Sequence, residues 1–131
     1  MSEQQPVEMI LLRQLASYLS IAIWLMDDEG NLVYYNEPAE GLVGAQFDDM
    51  GPVHAEDLAS LFRVTDVDGN PLEDKDLPVV TALIEQEPTH GRVHFCGFDG
   101  RWHDVELAAV PLVGAGQRFL GVFVTFWETR S

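Results

Sequence analysis

The sequence predicts an α+β domain built on an antiparallel sheet. Three observations carry this. Its apolar segments run strand, strand, several short helices, then three strands, not the strand–helix alternation of a parallel sheet. Asp99-Gly100 separates two of the last three segments, and Gly tolerates the positive φ of a tight hairpin turn. The chain has 131 residues and is 47% hydrophobic, which is enough apolar content for one core despite the acid excess.

The elements follow in order. Pro6 suits a first helical turn, and Val7, Leu11, Leu15 and Tyr18 recur at helical spacing, with Ile10 and Leu12 widening the stripe. This predicts an amphipathic helix over about residues 6–19. Residues 1–19 would then form a helical cap ahead of a domain over 20–131. The apolar run from Ile21 to Met26 is too short for a typical helix and rich in β-formers, so it reads as a strand. An acidic turn at Asp27–Asn31 leads into a second strand, Leu32-Val33-Tyr34-Tyr35. Asn36 is placed to cap a short helix with Pro38 in its first turn and Gly41 and Gly44 limiting its length. Two further helices are predicted over about 54–62, with Leu58, Leu61 and Phe62 on one face, and about 77–86, with Pro78 near its start. Between them, Asp66 to Pro71 is turn chemistry; Asp66, Asp68 and Asn70 lack the length and closing Glu of an EF-hand calcium loop. Three strands are predicted over about 92–98, 101–110 and 119–127.

Composition narrows the function classes. The 22 Asp and Glu against 7 Lys and Arg give a formal net charge of −15, and the bases, six Arg and the lone Lys75, form no cluster. Such a surface repels nucleic-acid backbones and anionic lipid headgroups, so direct binding to either is not expected. No apolar run approaches the roughly 20 residues that span a bilayer, and the N-terminus lacks the basic and apolar parts of a secretory signal, which points to the cytoplasm. Cys96 is the single cysteine, so no internal disulfide and no zinc site of paired thiolates can form. There is no His-x-x-x-His helix, Gly-x-Ser-x-Gly elbow or phosphate-cradling Gly loop, so an enzyme is not expected.

Over residues 20–127 the sequence resembles the PAS sensory-domain family. The resemblance rests on Asp27 and Gly30 after the first strand; on Asn36, Pro38, Ala39 and Gly44 in the helix after the second; and on Asp99-Gly100, Pro111-Leu112 and Gly121 in the last three strands. Asp68-Gly69-Asn70-Pro71-Leu72 followed by Leu77-Pro78 is similar to one bacterial subgroup. The resemblance implies a five-stranded antiparallel sheet of order 2-1-5-4-3, with helices on one face enclosing a pocket for a small molecule or cofactor. It also implies sensing or dimerisation passed on to an effector. The family's Asp-Ile-Thr exit motif is degraded here to Glu128-Thr129, so if the chain is complete at Ser131 its output runs through a separate signalling partner.

With Asp99-Gly100 as a two-residue turn, Cys96 would face His103 and His94 would face Val105. His94, Cys96, His103, Val105 and Leu107 would then share one face of the hairpin. In PAS domains resembling this one, the positions five and seven past the hairpin Gly point into the pocket; here these are Val105 and Leu107. The expected pocket face therefore carries His94, Cys96 and His103 as well, with His103 nearest the rim. Two imidazoles and a thiol are the right ligand types for zinc, copper or iron, but positions on flat strands seldom converge to metal-bond distances and no carboxylate completes the set. A partly buried His pair beside a small Cys is the simpler reading. His90, roughly 13 Å along the strand from His94, adds nothing. Haem would need a His in mid-helix, which neither central helix supplies. The Asn-Cys-Arg-Phe-Leu-Gln-like segment of light-sensing relatives is absent, so no flavin adduct is expected and the cofactor is left unassigned.

In the last strand Phe123 and Thr125 alternate with Leu120, Val122, Val124 and Phe126, so both faces are apolar and both need cover. Phe123 and Thr125 are expected in the pocket. Leu120, Val122, Val124 and Phe126 are expected on the outer face, beneath Val7, Leu11, Leu15 and Tyr18 of the first helix, from the same chain or from a partner in a homodimer. The expected function is thus a signal-sensing module that binds a small molecule. The alternatives are a ligand-free dimerisation module with a filled core, and a haem- or metal-binding sensor.

Overall fold

The computed structural model describes residues 7–50 and 53–129. Strands β1 (Ala22–Asp27), β2 (Leu32–Tyr35), β3 (Thr89–Cys96), β4 (Trp102–Val113) and β5 (Phe119–Glu128) form one sheet of order β2-β1-β5-β4-β3, antiparallel throughout. Helices are α1 (Val7–Ala16), α2 (Glu37–Val43), α3 (Phe47–Met50), α4 (Leu58–Phe62) and α5 (Pro78–Glu85). The sheet and its strand order agree with the sequence expectation. Helices α2, α4 and α5 contribute Ala39, Val43, Leu58, Phe62 and Ala82 to the main core on one face of the sheet. On the opposite face α1 builds a smaller core. The four-residue α3 carries no sequence signal of its own; its Phe47 is held by edge-on contacts with Tyr34 and Tyr35, at centroid distances of 5.7 and 5.3 Å.

Asn36 caps α2 as expected, and it does more. It is fully buried, and its Oδ1 accepts from the backbone N–H groups of Ile23 (2.9 Å) and Ala39 (3.3 Å) while its Nδ2 donates to the carbonyls of Ala16 (2.9 Å) and Ile21 (2.8 Å). One side chain thus satisfies four backbone groups and ties the end of α1 to β1 and α2. Tyr35, beside it, donates to the carbonyl of Ala45 (2.9 Å), and burial, then the Glu40 and Asp49 charges, push its phenol up to about 12. The Asp27 and Asp66 loops share one geometry. In each, the Asp Oδ1 accepts from the N–H groups two and four residues on, and the Asn at the fourth position donates to Oδ2.

Three expectations are corrected. The β3–β4 hairpin is closed by three residues, not two. Gly97 and Arg101 face each other, Gly100 takes the left-handed conformation (φ 82°), and the register sets Phe95 opposite His103 and Val93 opposite Val105. This is the loop of a type I turn followed by a left-handed glycine, which the same Asp-Gly pair also satisfies. A shift of one residue exchanges the faces of a strand, so Val93 and Phe95, not His94 and Cys96, join Val105 and Leu107 on the core side.

The second correction concerns β5. Val122, Val124 and Phe126 lie in the main core, whereas Phe123 packs with α1 and Thr125 points the same way, its hydroxyl 3.4 Å from the carbonyl of Ala22. Leu120 does lie on the α1 side, because the irregularity at Leu112/Val113 resets the alternation there. Gly121 makes this possible: at its φ of 147° a Cβ would collide with the carbonyl oxygen of Met26.

The third concerns α1. Its packing stripe is Met9, Leu12 and Ala16, set against Ile23, Leu25 and Leu120. Val7, Leu11, Leu15 and Tyr18 are exposed, at 64, 58, 53 and 78%. Both stripes have helical spacing. The choice between them is made by the bond from Asn36 to Ala16 and by the Arg13 guanidinium, which lies over the Tyr34 ring 4.8 Å from its centroid. The helix ends at Ala16, so Tyr18 falls beyond it.

Candidate functional site

A cavity of about 90 Å³ lies between the sheet and the segment from α4 to α5. The sheet supplies Val93 and Phe95 from β3, Val105 and Leu107 from β4, Val124 and Phe126 from β5, and Trp24 from β1. The roof is Leu58 and Phe62 of α4, Val64, and Leu77, Pro78 and Val79 around the start of α5. Four aromatic rings meet around this space. Trp24 lies 5.8 Å from Phe62 edge-on and 6.1 Å from Phe126, and Phe62 lies 6.1 Å from Phe95, also edge-on. Among the described residues the one side-chain hydrogen-bonding group in the lining is the indole N–H of Trp24, which already donates to the Met26 sulfur at 3.0 Å. The described wall is therefore apolar and the one donor in it is satisfied.

Val105 and Leu107 thus line the cavity, and His103 stands just beyond it. The His103 ring packs on Phe95, centroids 5.5 Å apart, and Nδ1 lies 3.2 Å from Glu128 Oε2 near the end of β5. A carboxylate only accepts, so Nδ1 carries the proton of this bond; Nε2 is buried with no partner. His94 and Cys96 are on the other face of the sheet. There His94 meets Trp102 edge-on at 5.1 Å, and the Cys96 thiol, itself buried, lies 3.5 Å from the Gly97 carbonyl. The three candidate metal ligands accordingly do not converge, and no group of three or more His, Cys, Asp or Glu among the described residues is arranged to hold a metal ion. The Cys96 thiol is likewise separated by the sheet from anything in the cavity. The outer face of β3 and β4 instead carries an ion pair of Arg92 with Asp104 at 2.9 Å, and His90 lies 3.6 Å from the Glu106 carboxylate. The hydrogen bond from Arg92, assisted by its charge, holds the Asp104 carboxyl below its usual range.

Sequence reasoning missed Trp24, Phe62, Phe95, Val124 and Phe126 as lining residues. Phe62 was legible as buried, since it shares a helix face with Leu58. Trp24 sits in a run apolar on both sides, where alternation carries no sign of which face is inward.

No protein-family model matches the chain, and no curated protein is similar to it in sequence. Solved structures are similar to it in fold. The PAS domain of nitrogen regulation protein NR(II) from Vibrio parahaemolyticus is 21% identical, with 91% of this chain and 98% of that one covered and a TM-score of 0.63. The PAS domain of BvgS from Bordetella pertussis, at 15% identity, covers 95% of this chain and 87% of that one, also with a TM-score of 0.63.

The chain has the PAS fold.

A LOV protein from Rhodobacter sphaeroides superposes with a TM-score of 0.72 at 16% identity, over 94% of this chain and 68% of that one. The cavity lies between the sheet and its helical face, and α1 packs on the opposite face. Among the described residues no helix is long and apolar enough to cross a membrane.

Proposed function

We propose that this PAS module is a non-catalytic cytoplasmic sensor. It takes up a small molecule between the sheet and helices α4 and α5, and it signals through a homodimer or a separate partner protein. The observation that carries this reading is the unfilled space over Val105 and Leu107. Protein cores are packed to the density of organic crystals, and a void of this size lowers stability. A core selected for stability alone would fill it with one larger side chain. Val105→Trp does so, and it is the test. Solvent extracts of the purified wild-type protein, examined by mass spectrometry and absorption, are expected to contain a bound compound that Val105→Trp lacks while keeping its fold. Empty extracts from a wild-type protein no less stable than Val105→Trp would oppose the reading.

A second reading, a ligand-free dimerisation module, is favoured by α1. Val7, Leu11 and Leu15 form an exposed apolar stripe beside the packed one, and a second copy would bury it. The charge of −15 resists self-association, so dimers are expected to strengthen as salt rises. Sedimentation across a salt series, with and without Leu11→Asp, tests the dimer in either reading.

A further inference from the structure

Resting on the sensory reading, we propose that the cavity selects a small neutral hydrocarbon carrying a single aromatic ring. The argument is one of size, polarity and ring geometry. At about 90 Å³ the space is smaller than the roughly 150 Å³ apolar cavity that stays dry and holds one benzene, so a single ring is the largest rigid group it admits and a fused-ring cofactor does not fit within it. No described lining side chain carries a charge, and the one donor among them is engaged with Met26. A carboxylate, ammonium or polyhydroxy ligand would surrender its hydration and find no replacement. Trp24, Phe62, Phe95 and Phe126 already meet edge-on or tilted, the arrangement in which one further ring joins through favourable quadrupole contacts. The half-buried Pro78 and Val79 at the start of α5 and Leu107 on the sheet mark the side from which such a molecule enters.

The test is a calorimetric titration of the full chain with toluene, and with benzoate, tetramethylammonium and cyclohexane as probes of charge and ring character. Toluene is expected to bind and to raise Tm, with both ions at least about tenfold weaker and cyclohexane in between. Val105→Trp, and Leu107→Phe as a milder filling should the first fail to fold, are expected to lose the toluene heat. Equal or tighter binding of either ion, or toluene binding untouched by both fillings, overturns the proposal. The two levels of the argument separate cleanly. If toluene fails while another compound co-purifies with wild type and is lost on filling, the ligand class is wrong and the sensor reading stands. If toluene fails and nothing co-purifies, both fall.

Discussion

Phe95 and His103 face each other across β3 and β4 with ring centroids 5.5 Å apart, so the ring that walls the cavity rests on an imidazole hydrogen-bonded to Glu128 near the end of β5. This pairing exists only in the three-residue register of the hairpin; the two-residue alternative would set Cys96 against His103. A double-mutant cycle between Phe95→Leu and His103→Ala is expected to give a coupling of about 0.5–1.5 kcal/mol. The cycle between Cys96→Ala and His103→Ala should be additive within about 0.3–0.5 kcal/mol. Coupling to Cys96 instead would restore the other register.

Asn36 concentrates four backbone hydrogen bonds in one buried amide, and Asn36→Asp keeps its size while removing both donors. The carbonyls of Ala16 and Ile21 would then face a carboxylate. Chemical denaturation is expected to show a loss of about 2–4 kcal/mol. A loss below about 1 kcal/mol would mean that the junction of α1, β1 and α2 is held by something other than this side chain.

The two stripes of α1 predict opposite behaviour from similar substitutions. Met9→Asp places a charge in the small core at a position 2% exposed, and is expected to cost about 3 kcal/mol or more. Leu11→Asp, on the exposed stripe, should leave the monomer fold within about 0.5 kcal/mol of wild type. Thermal denaturation of the pair checks this, and equal losses would contradict the helix orientation.

Arg92 and Asp104 give a pH prediction. A carboxyl depressed in the folded state contributes stability above the pKa of the unfolded chain, and that contribution disappears as pH falls through the folded value. The link is therefore complete at neutral pH and lost only in the acid range, below the ordinary Asp value of 3.8. NMR titration of Asp104 should place its midpoint under 3.8, and Arg92→Gln should move it upward. An identical midpoint in the variant would mean that Arg92 is not the cause.

Much of this architecture was legible in the residues. The Asn36 cap, the acidic turns at Asp27 and Asp66 and the five strands all follow from local chemistry acting over a few positions. What could not be read were choices between near-equivalent patterns. Asp99-Gly100 suits loops of two or three residues, and the difference of one residue carries His94 and Cys96 to the far side of the sheet. The last strand is apolar on both faces, so its sequence does not distinguish Phe123 and Thr125 from Val124 and Phe126; the register with β1 and β4 does. In α1, Val7-Leu11-Leu15 and Met9-Leu12-Ala16 are equally good stripes, and the tie is broken by Asn36 and Arg13 from outside the pattern. Val105 and Leu107 were placed by the resemblance, as positions five and seven past the hairpin Gly, and that placement does not depend on which hairpin register forms.

The central claim is that the space above Val105 and Leu107 is an accessible apolar site. Crystals of the protein equilibrated under xenon test it most directly, since xenon enters dry apolar cavities without any need for a matching ligand. The account predicts one xenon atom among Phe62, Val105, Val124 and Phe126. A diffraction map with those side chains closed over the space and no xenon peak there would contradict it.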